Sequence, residues 1–393
     1  MVGSGINNAI LKQQNRGLIL RLIITGKCSS RVEIAKETGL SKMAASNVIG
    51  EFMDAGIIEE TEKQQVSGKG RNPVMLAISE RAPKLIGVHI SRNRCGVSLC
   101  TLDLRIKKEE YFDVTQENHG ELFEKIYGII DSMISDCKRK KEKVLGIGVG
   151  TLGPMNAING VILNPPNFYG IHDVDVLGEM KKRYDIPVFV EQEYDCAAMT
   201  ELYFGAGRDK QDFAFIGVSW GLGGGIVANG RLRRNKAGFT CEFGHTGIDF
   251  NGPVCNCGRR GCVEIYTSTK TIEKRLREAT GENLSFREFC EKYSKDAPEA
   301  VDEIFTDMAY KTSYGITNMV NAAGNQNFII GHDGYYIPDR YIKICEEEVN
   351  KRIMFRDYRK VSIIKSEKQS EVLSSNCAVA VLDRIFSGAI EIA

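Results

Sequence analysis

Net charge of either sign is nearly absent from this chain. Its 52 Lys and Arg offset 51 Asp and Glu, leaving a formal +1. Coating nucleic acid or an anionic surface along a whole face requires a charge far from zero, so any such contact must come from a local patch. Long apolar runs are missing too. No eighteen consecutive residues are apolar, which argues against a membrane-spanning helix. The sequence shows no secretory signal ahead of its twelve cysteines, and most of these are scattered. The expectation is a reduced, cytoplasmic protein and not a disulfide scaffold. With 393 residues, 42% hydrophobic and 26% charged, the composition is that of a globular protein of two or three domains.

What is present is concentrated. His245, Cys255, Cys257 and Cys262 fall within eighteen residues. Three thiols and an imidazole at loop spacings are the ligand set of a closed, tetrahedral, structural Zn²⁺ site. Two carboxylates, Glu242 and Glu264, bracket the cluster. A metal that folds this loop would also fix a small ligand held by those carboxylates. Their plainer alternative is hydrogen-bonded support for the metal ligands.

Charge is uneven along the chain. Residues 1–50 hold seven Lys or Arg against two acids, and residues 51–60 hold four acids. Leu11, Leu18, Ile19 and Leu22 recur at helical spacing before Gly26. Ser30 can cap a short helix carrying Ile34 and Ala35, Thr38-Gly39-Leu40 reads as a turn, and Ser41 can cap a second helix. Ala45, Val48, Ile49 and Phe52 would be the buried side of that helix. A strand at 57–60, a hairpin tip at 67–73 and a returning strand at 74–78 complete a winged helix-turn-helix. Ser41, Lys42, Ser46 and Asn47 then lie where a groove is read, Lys69 and Arg71 on the wing, and Arg31 near a phosphate. The alternative is a helical dimerisation domain with a solvated basic face.

Pro83 marks a boundary. Apolar strands are expected at 84–90, 97–103, 144–150, 188–190 and 213–218, with helices near 119–137 and 173–184. The alternation predicts α/β layers, and two such units predict two lobes with a ligand cleft. Two glycine-rich loops come after strands, Gly146–Pro154 and Ser219–Gly225. Neither carries the Lys and Ser/Thr of a P-loop, and tight turns explain them equally well. Glu191, Glu193 and Asp195 sit at a strand end, suited to a general base or to holding hydroxyls.

These motifs resemble the ROK family of transcriptional repressors and sugar kinases. Asn15-Arg16, Ser30–Ala35, Thr38–Ser41 and Gly68–Pro73 match the winged helix of its repressors. Pro166-Asn167, Glu242–His245 and Cys255–Glu264 match its sugar and zinc motifs. The resemblance implies a winged helix-turn-helix at 1–80 and a two-lobed ribonuclease H-like, actin-like ATPase sugar-kinase fold at 81–393. Lobe one would span about 81–198 with the C-terminal helix, and lobe two about 199–375. It implies a sugar held by Asn167, Gln192, Glu193, Glu242, His245 and Glu264, operator DNA as partner, and a dimer or dimer of dimers.

Four departures from the kinases stand out. The first phosphate loop reads His89–Arg94 without acid or glycine. Glu193 replaces the aspartate base, Trp220 a threonine, and His332 a glycine. They imply a repressor released by a free sugar such as xylose, with no nucleotide bound. The alternatives are an active ATP-dependent sugar kinase with an accessory DNA-binding domain, and a degenerate kinase fold used for docking.

Overall fold

The computed structural model describes residues 8–61, 74–115, 119–166, 168–367 and 373–392. Packing gathers the chain into two units. One is drawn from Met1–Thr151, Asp175–Glu191 and Ser374–Ala393, the other from Leu152–Val174 and Gln192–Leu373.

The first unit opens with three helices, α1 (Asn8–Ile24), α2 (Arg31–Thr38) and α3 (Lys42–Asp54). Local chemistry sets their ends. Ser30 and Glu33 form a reciprocal capping box at the start of α2, and Gly39 closes that helix in the left-handed region. Ser41 caps α3 by accepting the Ala44 N–H. Strands β1 (Ile58–Thr61) and β2 (Met75–Ile78) pair antiparallel, Ile58 opposite Ile78. The wing tip, with Lys69 and Arg71, lies outside the described residues. The helix expected before Gly26 is present as α1. Leu11 is exposed, and the buried face of α1 is Ile19, Leu20, Leu22, Ile23 and Ile24. The N-terminal half of α1 bonds instead through polar groups, Lys12 and Arg16 to Glu51 and Gln13 to Glu391.

Strands β3 (Lys84–Ile90), β4 (Arg94–Cys100) and β5 (Ile106–Asp113) come next, then α4 (His119–Arg139) and β6 (Val144–Thr151). The expected strand at 97–103 starts earlier, at Arg94, because β4 pairs with β3 from Cys95 to Cys100 and with β5 from Arg94, opposite Asp113. No strand was expected at β5, whose Lys-Lys-Glu-Glu run is the charged edge that keeps a sheet from pairing further. Short strands β7 (Met155–Asn156), β8 (Val161–Ile162) and β9 (Val174–Asp175) form a small separate sheet. Helix α5 (Val176–Arg183) and β10 (Val188–Gln192) finish the set, and the main sheet runs β10-β6-β3-β4-β5.

The second unit takes α6 (Glu193–Phe204), β11 (Phe213–Val218), β12 (Leu222–Ala228) and β13 (Arg231–Leu232), then α7 (Glu264–Thr267), α8 (Thr269–Thr280), α9 (Phe286–Lys292) and α10 (Glu299–Ala323). It ends with β14 (Asn327–His332), α11 (Asp339–Arg352) and β15 (Ser362–Lys365). Its sheet runs β13-β12-β11-β14-β15. Both main sheets therefore share one plan. Three antiparallel strands come first, the fourth joins parallel to the first, and the fifth sits outside the fourth. The duplication is that of the expected ribonuclease H-like fold.

The last helices, α12 (Leu373–Cys377) and α13 (Val379–Phe386), return to the first unit. They lie so close to its sheet that a Cβ at Gly148 would overlap the Cys377 carbonyl oxygen. On α1, a Cβ at Gly17 would meet the carbonyl oxygen of Phe386 at 2.6 Å.

Candidate functional site

Between β13 and α7 the chain has little regular structure, only a turn of 3₁₀ helix at Phe243–His245 and isolated bridges. Bridges between Gly247 and Cys262 and between Val254 and Arg260 fold the segment back on itself. The Cys255 N–H donates to the Arg259 carbonyl at 2.7 Å, turning the chain at Cys257 and Gly258. His245, Cys255, Cys257 and Cys262 converge, with all ligand atoms within 4.8 Å of one another.

Two of these separations test the fit to zinc. His245 Nδ1 lies 3.6 Å from Cys255 Sγ, and Cys257 Sγ lies 3.7 Å from Cys262 Sγ. Zn–S bonds of about 2.3 Å and Zn–N bonds of about 2.0–2.1 Å on a tetrahedron give edges of about 3.6 and 3.8 Å. The four residues suit structural Zn²⁺ with every position filled by protein. Burial works to raise the Cys257 thiol. Hydrogen bonds from the Arg259 backbone and side chain, and from Cys255 and Cys262, outweigh it and bring the group down to about 7.

The cluster places the bracketing carboxylates. The Leu222 N–H, at the start of β12, donates to Glu264 Oε2 at 2.9 Å. The Leu222 carbonyl lies so close to Gly244 that no side chain fits there. Both flanks of the knuckle are thus anchored on one residue of the sheet. Glu242 Oε1 accepts from Thr240 Oγ1 at 3.2 Å and from Gln192 Nε2 at 3.5 Å. Gln192 is only 2% exposed, and its buried Oε1 has no hydrogen-bond partner among the described residues. Leaving such an amide oxygen unmatched costs on the order of 1–3 kcal/mol, so it suits a donor brought by a ligand. Glu193 opens α6 directly after it. Gln192, Glu193, Glu242, His245 and Glu264 all belong to the second unit, while Asn167 lies outside the described residues. Glu191 separates from them. It is buried and accepts from Arg384 Nη2 of α13 at 3.1 Å.

The glycine-rich loops turn out to serve packing. Gly148 lies on β6 beneath Cys377. A Cβ at Gly223, in the second loop, or at Gly217, on β11, would overlap the ring of Tyr194. Tyr194 stacks on His332 at 5.1 Å between ring centroids, and its hydroxyl lies 3.1 Å from Ser219 Oγ. The ring pressed on the glycines is Tyr194, a residue that sequence reasoning passed over. Trp220 is half-exposed with Lys270 Nζ 5.5 Å from its ring.

On the head, Lys42 and Asn47 are exposed and Ser46 half-buried along the outer face of α3. Ser41 is committed to capping. Arg31 is held inside the head, donating to the Ser46 carbonyl at 3.2 Å and pairing with Glu60 at 3.1 Å. Met43 was missed. It is 70% exposed between Lys42 and Ser46, and its phase opposite Ala45, Val48 and Phe52 was the available signal. An apolar side chain there suits a thymine methyl.

The ROK family model matches residues 85–378. A xylose repressor from Caldicellulosiruptor bescii is 26% identical over 394 residues, covering 97% of this chain and 98% of that one. A solved ROK family transcriptional regulator, described as a homologue of the Escherichia coli Mlc protein, superposes with a TM-score of 0.80 at 22% identity, covering 96% of this chain and 98% of its own. A ROK glucokinase from Streptomyces griseus, solved with glucose and AMPPNP, superposes with a TM-score of 0.63 at 22% identity, covering 75% of this chain and 98% of its own. Among the described residues no helix is long and apolar enough to cross a membrane. With the family model matching about three quarters of the chain, the chain belongs to the ROK family.

Proposed function

We propose that this chain is a sugar-responsive transcriptional repressor, and that a free sugar, xylose in the narrowest form of the reading, releases it from operator DNA. The observation that carries the reading is the buried Gln192 amide with the half-buried carboxylates beside the zinc knuckle, in a chain that also bears an exposed face on α3. Gln192, Glu193, Glu242 and Glu264 accept or donate to sugar hydroxyls, each charged hydrogen bond contributing about 1.5–3 kcal/mol. His245 turns Nδ1 to the thiols, leaving Nε2 for a hydroxyl. Lys42, Met43, Ser46 and Asn47 read the major groove, and the sequence adds Lys69 and Arg71 as further DNA contacts. Sugar and operator act on one equilibrium, so each weakens the other by the same factor.

The chain does not transfer phosphoryl groups in this reading. Such transfer rests on positioning and on charge support for the moving group. Tyr194 fills the space over the glycine strand, and the loop His89–Arg94 has no glycine to admit a phosphate.

The test is a duplex selected from a randomised pool, titrated with protein, then challenged with xylose, glucose and N-acetylglucosamine. Binding should fall with salt and be released by one of the sugars, xylose first. Operator affinity unmoved by every sugar, or sugar-dependent ADP release above about 1 per second, would overturn the reading.

A further inference from the structure

The second sheet is hollowed at one edge into a recess of about 520 Å³, a size within the range of small-molecule sites. Strands β11 and β14 run parallel, so both begin at this edge, and antiparallel β12 ends there. Residues 209–212 lead into β11, residues 323–327 carry α10 into β14, and Arg233 follows β13. Leu222, the anchor of the zinc knuckle, sits at the opposite end of β12. The strand from Leu222 to Ala228 spans roughly 20 Å at about 3.4 Å per residue. The recess is therefore separate from the knuckle and its carboxylates.

Its lining is charged with both signs. Asp209 and Asp212 face the recess, and so do Lys210 and Arg233. None of the four forms an ion pair among the described residues. Opposite charges kept apart by an open gap leave room for a molecule that carries both. Asn325 also lines the recess. It is only 7% exposed, and its Oδ1 has no hydrogen-bond partner among the described residues. A buried amide oxygen left in that state costs on the order of 1–3 kcal/mol, and a donor delivered from the recess removes the cost.

The polarity of the two ends can be assigned. Asn325 directly follows Gly324, the left-handed cap of α10, so the negative end of that helix dipole lies beside it. An ammonium group suits this place. It carries donors for Asn325 Oδ1 and a charge for Asp209 and Asp212. Arg233 and Lys210 supply the opposite sign, and a guanidinium fork matches a carboxylate. Among the described residues no aromatic side chain lines the recess, so a nucleobase finds nothing to stack on. An uncharged sugar would leave both pairs of charges unmet.

We propose that this recess binds a small zwitterion, an α-amino acid with free ammonium and carboxylate groups. The proposal gives the chain a second small-molecule input and does not rest on the sugar reading.

The full-length zinc-loaded protein, titrated calorimetrically with each standard L-amino acid, tests it. At least one should bind and raise the melting temperature. Its N-acetyl derivative and its methyl ester each lack one of the two charges. Each should bind at least about tenfold more weakly, the loss expected for one charged hydrogen bond. Arg233→Gln and Asp209→Asn should weaken the amino acid by a similar factor, with zinc content and far-ultraviolet dichroism unchanged. The two derivatives need no variant, so a variant that fails to fold leaves the test intact. No amino acid bound, or binding that both variants leave unmoved, overturns the proposal. So does an N-acetyl derivative or inorganic phosphate held as tightly as the zwitterion, since that would make the recess a plain anion site.

Discussion

The two main sheets share a strand plan and part company after the third strand. There the first sheet passes to α4 through a short link at residues 114–118. At the same point the second sheet runs through residues 233–263 before α7, and this excursion holds the metal ligands and both bracketing carboxylates. Each sheet also receives a helix at van der Waals limit, but by different means. At Gly148 the obstacle to a side chain is backbone, the Cys377 carbonyl. At Gly223 it is a side chain, the Tyr194 ring. The excursion of the second copy carries the His245–Cys262 cluster, and the short link of the first has no counterpart to it.

The largest expected effect comes from removing the pin in that excursion. Structural zinc can contribute on the order of 10 kcal/mol to a small fold, and here residues 245–262 have no helix or strand beyond a 3₁₀ turn and two isolated bridges to hold them. Cys262→Ser or strong chelation should lower the melting temperature, abolish stoichiometric zinc and erase any sugar-induced thermal shift. Glu264→Gln should erase the sugar shift and retain zinc. Zinc lost from Glu264→Gln as well would return that carboxylate to metal support and blur the distinction between the two sheets.

Next in size are the two close approaches. Gly148→Ala should destabilise by about 3 kcal/mol or more, at the upper end of overpacking costs, because a carbonyl cannot be trimmed. Gly223→Ala should be comparably harmful alone. Adding Tyr194→Ala should recover part of the loss, while no side-chain change should rescue Gly148→Ala. Denaturant melts of the four variants, read as a double-mutant cycle, check this. Equal behaviour at both glycines would break the contrast.

Much of this was legible from residues that are neighbours in sequence. Ser30, Gly39 and Ser41 announce the head because capping acts within three or four residues. The zinc ligands announce themselves because all four lie in one short loop. What could not be read depends on distant partners. Tyr194 meets Gly223, 29 positions away; Glu191 meets Arg384, 193 away; Gly17 meets Phe386 at the other end of the chain. The charged edge strand β5 has no apolar alternation to betray it. Leu11 shows that helical spacing of apolar residues fixes the helix but not its buried face, since the N-terminal half of α1 pairs through polar groups.

A smaller effect is expected at the end of the fourth strand of the second sheet. Burial, with the nearby carboxylates of Glu273 and Glu193, pushes the Asp333 carboxyl up to about 6. An unfolded aspartate sits near 3.9. Between those values the folded chain holds more protons than the unfolded one, so stability falls as pH rises from about 4 to 6 and stays lower above. Asp333→Asn should flatten that slope and gain stability at pH 7. Melts at pH 4.5 and 7 read the difference, and an unchanged slope would contradict a carboxylate crowded by burial and like charge there.

The smallest effect tests whether close approach, and not glycine itself, is what the sheets require. Gly128 lies in the middle of α4, exposed, and an added Cβ would meet nothing within 4 Å. Glycine there only widens the unfolded ensemble and weakens the helix. Gly128→Ala should therefore stabilise by about 0.5–1 kcal/mol, opposite in sign to Gly148→Ala in the same unit. The same substitution thus reports two environments. A loss of stability at Gly128 would mean that the outer face of α4 is covered in the assembled protein, and would place a contact surface on the sheet that otherwise serves as scaffold.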